Sequence, residues 1–346
     1  MKILSHNIRS FAVEGKFGWV RSLCVSERPD IAVFQETKCR NISDWWVQSL
    51  WGKNEFGFIQ KDVIGNLGGM LMIWDKSSFD VKDAMENEFF QAIRGNWSHS
   101  GVESIIVNVY GPHNDVGKRL LWDSLSGLIS NIDTTWLLCG DFNEVREASD
   151  RLNSQFIQYR ATCFNNFILS NNLIEIPING KRFTRISDDG LKFSKLDRFL
   201  VLDNFLKLWE DLSVIALDRR LSNHCPLILR EKIIDFGPKP FKVFDEWFNC
   251  EEIGDIILDA WNQPITGNKR DCMFRDKLKN VKLAIKNWSK MSYGKLDSEI
   301  NELKKEASEW EIKAESNQLS NEDRNMWLDC RRKWVEKEKT KSNMLK

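Results

Sequence analysis

Trp136-Leu137-Leu138-Cys139-Gly140-Asp141-Phe142-Asn143 is the stretch on which the reading of this chain turns. An unbroken apolar run stops abruptly at Gly-Asp-Phe-Asn. A strand buried on both faces reads as such a run, and functional loops sit where buried strands emerge. Taken alone, the segment is equally a strand followed by an Asx-type turn, because Asp, Asn and Gly favour turns. The other apolar runs have to decide between the two.

They repeat the pattern. Residues 2–5 predict a strand closing at His6-Asn7, and Ile31-Ala32-Val33-Phe34 predicts one closing at Gln35-Glu36-Thr37. Residues 102–109 run into Tyr110-Gly111-Pro112-His113, residues 195–201 carry Asp197, and Ser222-Asn223-His224 precedes the run 225–230. Between them, helical spacing covers 16–26, 45–51, 119–132 and 163–170, and further strands are expected near 56–59, 68–74, 79–81, 93–97, 183–185 and 212–217. Residues 146–154 read as a polar loop. About ten strands, several at hairpin spacing, are too many for one ordinary open sheet. Two packed sheets with helices outside fit best.

Composition sets bounds around this core. The chain has 346 residues, 42% hydrophobic and 29% charged, with zero net charge, which suits a soluble globular protein. The charge is uneven. Residues 269–346 hold 20 Lys and Arg against 14 Asp and Glu, leaving 30 against 36 before them, so a polyanion partner is permitted. Eight scattered cysteines contain no CxxC pair, which argues against zinc-type spacing and for a reducing compartment. The first residues are too poor in apolar side chains for a signal peptide. No run reaches the roughly 18 apolar residues expected of a membrane span.

Near Asp235-Phe236-Gly237-Pro238-Lys239-Pro240 the composition shifts, and the expected organisation is a domain over 1–232, a linker over 233–244 and an α-helical extension over 245–346. In the extension, Trp261, Leu278, Val281, Ile285 and Trp288 give one stripe, and Leu296, Ile300, Leu303, Ala307 and Trp310 give another at near-heptad spacing. Ser320-Asn321-Glu322-Asp323 reads as a capping box opening a last helix. A helical hairpin is expected there, with self-association through a coiled coil as a further possibility.

Six apolar runs thus end on polar groups suited to metal or phosphate chemistry: Asn7, Glu36, Tyr110, Asp141 with Asn143, Asp197 and His224. Each has a plain alternative. Glu36 could serve a helix start, Tyr110-Gly111-Pro112 a turn, Asp197 with Arg198 a surface ion pair, and His224 a satisfied core position. One such end is ordinary turn composition, but six point to an assembled site.

The ordered set His6-Asn7, Gln35-Glu36-Thr37-Lys38, Val109-Tyr110-Gly111-Pro112, Gly140-Asp141-Phe142-Asn143, Leu196-Asp197-Arg198-Phe199 and Ser222-Asn223-His224 resembles the endonuclease/exonuclease/phosphatase superfamily. More narrowly it is similar to the apurinic-type endonuclease domain of plant LINE-type retrotransposons, here ending before any reverse transcriptase motif. The resemblance covers residues 1–232. It implies a four-layered α/β sandwich of two packed, mostly antiparallel sheets and hydrolysis of a phosphodiester with Mg²⁺ (or Mn²⁺), DNA being the expected partner and the nucleus the expected location. Glu36 and Asn7 would hold the metal, with Asn223 beside them. Asp141 would orient or deprotonate water, Asn143 would bond a phosphate oxygen, His224 paired with Asp197 would stabilise the developing charge, and Tyr110 would contact phosphate or the leaving group.

Two departures stand out. Asn223 replaces the Asp usual in Ser-Asp-His, removing a negative charge, and Arg185 replaces the Trp usual in Phe-Thr-Trp. Alternatives therefore stay open: a phosphodiesterase acting on RNA, phospholipid or inositol phosphate, or a catalytically silent remnant that only binds a partner.

Overall fold

The computed structural model describes residues 1–64, 67–209, 211–231, 247, 250–265, 270–316 and 319–344. Among them, strands β1 (Lys2–Asn7), β2 (Ile31–Gln35), β3 (Phe56–Ile64) and β4 (Leu67–Asp75) join β11 (Ile178–Asn179), β15 (Leu212–Ala216) and β16 (Leu227–Glu231) in a first sheet, ordered β11-β15-β16-β1-β2-β4-β3. Strands β5 (Phe79–Glu86), β6 (Phe90–Trp97), β7 (Glu103–Tyr110), β8 (Thr135–Asp141), β10 (Leu173–Glu175) and β14 (Asp197–Leu202) make a second, ordered β10-β14-β8-β7-β6-β5. A small third sheet runs β12 (Arg185–Ile186), β13 (Phe193–Ser194), β9 (Arg151–Leu152).

Each large sheet is mostly antiparallel but carries a parallel pair bridged by a helix. In the first, α1 (Lys16–Glu27) links β1 to β2, and in the second, α3 (Asp115–Asn131) links β7 to β8. Every residue of β2 and β8 is buried. That is why both read as continuous apolar runs, since parallel strands have both faces covered. The start of α3 is set by Asn114, whose side-chain oxygen accepts from the Gly117 N–H at 2.7 Å. Three apolar layers result. Leu4, Phe34 and Ile73 pack with Trp19 and Val20 of α1 and with Val47, Leu50 and Trp51 of α2 (Asp44–Trp51). Ile3, Val33, Met72, Ile106, Leu137 and Phe199 fill the space between the sheets. Val107, Trp136 and Leu138 meet α3 and α4 (Gln158–Ser170) through Leu121, Trp122, Phe164 and Phe167. Helix, sheet, sheet, helix is the four-layered sandwich expected from the sequence.

The interior between the sheets is not wholly apolar. Gln35 of β2 donates through Nε2 to Asn108 Oδ1 of β7 at 2.7 Å, and Asn108 in turn donates to Gln91 of β6 and to the Phe34 carbonyl, both at 3.3 Å. These amides tie one sheet to the other at Gln35, the residue before Glu36.

Several details differ from the sequence expectation. The loop at 146–154 contains a 3-10 turn (Ala148–Asp150) and β9, because Leu152 and Arg151 pair with Phe193 and Ser194. The strand expected at 183–185 is confined to Arg185–Ile186, and Cys225 precedes β16 instead of lying in it. The two- and three-residue strands β10, β11 and β13, and α5 (Asp203–Leu208), had no readable period.

The chain divides into two compact units, residues 1–233 with 312–318, and residues 234–311 with 319–346. The expected 233–244 linker lies outside the described residues. In the second unit, α6 (Glu251–Asn262) ends before α7 (Arg270–Ser316) begins, so Trp261 and Leu278 belong to different helices and the first stripe is interrupted. Ile300 and Ala307 of α7 pack on Cys330 and Trp334 of α8 (Asn321–Met344). Ion pairs Glu299–Lys337 and Asp297–Lys341, both 2.6 Å, fix the pair as antiparallel. Ser320 caps α8, its hydroxyl accepting from the Asp323 N–H at 3.1 Å. No helix among the described residues is long and apolar enough to cross a membrane.

Candidate active site

The two helix-bridged parallel pairs, β1–β2 and β7–β8, deliver their carboxyl ends to one place. In the first sheet Asn7 is in register with Gln35, and Glu36 follows immediately. In the second, Tyr110 is in register with Asp141, and Asp141 is in register with Asp197 of β14 on its other side. The two groups meet through Asn7, whose Nδ2 donates both to Glu36 Oε1 at 2.9 Å and to Asp141 Oδ2 at 2.8 Å. One amide thus holds carboxylates that come from different sheets.

The backbone is bent to allow this. Glu36 and Asn143 lie in the left-handed region, with φ of 53° and 49°, a cost that persists only where the surrounding structure over-determines it. Gly140 has φ 139°, and a Cβ there would stand 2.0 Å from the Val109 carbonyl oxygen. A Cβ on Gly111 would stand 2.2 Å from the Phe142 carbonyl oxygen. The glycines flanking the site are required by close approach of β7 and β8.

Asp141 is buried, and its Oδ1 accepts from the Asn143 N–H at 2.9 Å. Burial, then the Asp197 carboxylate, push its carboxyl up to about 6. Asp197 Oδ2 lies 2.8 Å from His224 Nδ1, and His224 Nε2 lies 3.9 Å from Asp141 Oδ2. Burial works against the imidazolium, but Asp197 and Asp141 outweigh it, so the proton affinity of His224 is raised. The imidazole is aimed by Ser222, whose hydroxyl donates to the Asn7 carbonyl at 2.8 Å and accepts from the His224 N–H at 3.1 Å. Tyr110 is held well above its ordinary value by burial and then by Glu36 and Asp141, so it stays a hydroxyl donor. His6, packed edge-on against Trp19 at 5.1 Å, is held well below 6.5 by burial and then by His224, and stays neutral.

Asn143 donates through Nδ2 to the Gly111 carbonyl at 2.8 Å. Asn223 Nδ2 is 3.4 Å from Asp188 Oδ1, which also holds Arg9 at 2.6 Å, while Asn223 Oδ1 is buried with no hydrogen-bond partner. The structure therefore brings Asn7, Glu36, Tyr110, Asp141, Asp197 and His224 together. Asn143 joins them through Asp141, and Asn223 turns its amide toward Asp188.

Sequence reading missed Lys118, buried on α3, whose Nζ donates to the Asn143 carbonyl at 2.8 Å and pairs with buried Glu144. Its signal was positional: Lys118 shares a stripe with Leu121, Trp122 and Leu125 at i, i+3, i+4 and i+7, where a lysine needs a buried partner.

Two donor sets could hold a cation. Ligand atoms of Asp141, Asp197 and His224 lie within 4.8 Å of one another. Two of these three are already hydrogen-bonded together, which suits proton handling. Glu36 and the shared Asp141, joined through Asn7, offer hard oxygen donors, the type that Mg²⁺ or Mn²⁺ prefers.

A model described as the Endonuclease/Exonuclease/phosphatase family matches residues 4–224. Among solved structures, an AP endonuclease from Leishmania major is similar at a TM-score of 0.54 and 15% identity, covering 66% of this chain and 86% of that one. The Xenopus laevis APE2 catalytic domain is similar at 0.52 and 16% identity, covering 67% and 92%. An AP endonuclease from Archaeoglobus fulgidus is similar at 0.51 and 18% identity, covering 67% and 100%. At these identities the likeness is one of fold. No curated protein matches the sequence.

Proposed function

The chain belongs to the endonuclease/exonuclease/phosphatase family, and from that premise we propose that it is a divalent-metal-dependent phosphodiester hydrolase that nicks a DNA strand. The observation that carries this reading is the Asn7 bridge between Glu36 and Asp141, with the Asp197–His224 pair on the far side of Asp141. Acid, base and hard-oxygen donors stand side by side.

Glu36, with Asn7 and the Asn223 oxygen, would hold Mg²⁺ or Mn²⁺, which supplies positive charge where the phosphate develops negative charge. Asp141 takes the proton of the attacking water. A carboxyl pushed up to about 6 is ionised near neutrality yet more basic than an ordinary one. His224, protonated with Asp197 behind Nδ1, presents Nε2 as a donor to a phosphate oxygen, and Tyr110 adds its hydroxyl. As the P–O bond breaks, both donors face oxygen that is gaining charge, where preorganised donors matter most. Asn143, held by Gly111 and Lys118, keeps the loop behind Asp141 in place.

DNA as substrate is supported by the AP endonucleases that share the fold and by the motif resemblance to the endonuclease domain of plant LINE-type elements. That origin would also place the protein in the nucleus. The test is Mg²⁺-dependent nicking of supercoiled plasmid, with RNA and inositol phosphates as competing substrates. His224→Ala should lower the rate by about 10²–10³-fold. Nicking by this variant at the wild-type rate overturns the assignment.

Asn223 favours a second reading, a silent remnant that binds without cutting, because a neutral amide stands where the family usually places a carboxylate. DNA binding without nicking in Mg²⁺ or Mn²⁺, with nicking gained in Asn223→Asp, would establish it.

A further inference from the structure

The small third sheet continues the candidate site in a straight line. His224 forms an isolated antiparallel bridge with Arg185, Arg185 pairs with Ser194, and Ser194 pairs with Arg151. Residues directly opposite one another in a ladder project to the same face. The row His224, Arg185, Ser194, Arg151 therefore shares one face, stepping by about 4.8 Å per strand. The serine between the two arginines leaves no bulk to separate their guanidinium groups.

The charges along this row are unbalanced. Arg146, Arg160 and Arg198 each hold a carboxylate within 3 Å. Among the described residues neither Arg185 nor Arg151 has an ion pair or a side-chain hydrogen bond. Glu144, the acid whose field reaches Arg151, is already engaged by Lys118. Both arginines are half-buried, and Arg151 Nε is enclosed with no partner. Burial disfavours the charged form of Arg151, and Arg160 and Arg185 add repulsion. Half-buried like charges without a counter-ion cost stability. A bound anion would offset that cost. Planar guanidinium groups match a phosphate bidentately.

We infer that Arg185 and Arg151 form a second phosphate subsite, which receives the phosphates flanking the scissile one on a bound DNA strand. This rests on the phosphodiester reading above. Arg185, one strand from His224, takes the neighbouring phosphate, and Arg151, two strands further, takes the next. The enzyme would then prefer a polymer to an isolated phosphodiester.

The experiment uses the full chain in EDTA, so that no cutting occurs, and follows binding of a fluorescein-labelled duplex by anisotropy across a salt series. Each of Arg185→Gln and Arg151→Gln should reduce the slope of log affinity against log salt by about 0.9, the value of one lost duplex phosphate contact. Arg185→Lys, which keeps the charge, should restore most of the slope. A slope unchanged in both glutamine variants overturns the subsite, as does a loss that Arg185→Lys shares in full. Wild-type nicking is scored separately. Plasmid that stays intact while the slopes fall refutes the hydrolase reading and leaves the subsite standing.

Discussion

Asp141 and Asp197 face each other in register on adjacent antiparallel strands, both buried, with His224 lying 2.8 Å from one and 3.9 Å from the other. Opposed like charges destabilise a ladder, and burial adds to the cost. The fold keeps this arrangement because His224 between the two acids, its proton affinity raised by both, is placed to carry the compensating charge. The pH behaviour of the site follows from that triangle.

Activity should be bell-shaped in pH, rising as Asp141 ionises near 6 and falling as His224 loses its proton above its ordinary value. Asp197→Asn removes a charge that raises both groups. Both limbs of kcat/KM against pH should therefore move to lower pH. An alkaline limb that stays in place would show that His224 is not the titrating acid.

Asp141→Asn should abolish nicking and yet stabilise the protein at neutral pH. The folded carboxyl titrates above its unfolded value of 3.8, so folding disfavours the ionised form. That cost appears as pH rises through 3.8 and is complete above about 6. The Tm advantage of Asp141→Asn over wild type should thus grow between pH 4 and 7, as read by thermal melts.

Asn7→Ala leaves Glu36 and Asp141 facing one another without the amide between them. Loss of such an orienting partner typically costs about 10–100-fold in metal affinity or activity. A titration of nicking against Mn²⁺ should shift to higher concentration by that order.

Lys118→Met strands the buried Glu144 carboxylate and should destabilise the fold by about 3–5 kcal/mol, the usual result of breaking a buried pair from one side. Adding Glu144→Gln should recover most of it in urea unfolding. A double variant as unstable as the single would mean that Lys118 acts through its bond to the Asn143 carbonyl.

Much of this architecture was legible because buried strands advertise themselves. Ile31–Phe34 and Trp136–Cys139 are continuous apolar runs, and the polar residue ending each one is a member of the site. What stayed hidden depends on pairing between distant segments. Arg151 looked like part of a polar loop, since only Ser194, more than forty residues later, makes it a strand residue. Two-residue strands such as β13 are shorter than any period that reveals them. The row linking His224 to Arg151 exists only in three dimensions. The turn of the Asn223 amide toward Asp188 likewise joins segments 35 residues apart in the chain.

The strand β16 lies between β15 and β1, so the first sheet closes only when residues near 230 reach those near 2. The segment that closes it also carries His224. During synthesis, a nascent chain that already displays Glu36, Asp141 and Asp197 still lacks both the imidazole and the strand that joins β15 to β1. The candidate site and the first sheet are thus completed by one and the same segment of chain, the last of the domain to leave the ribosome.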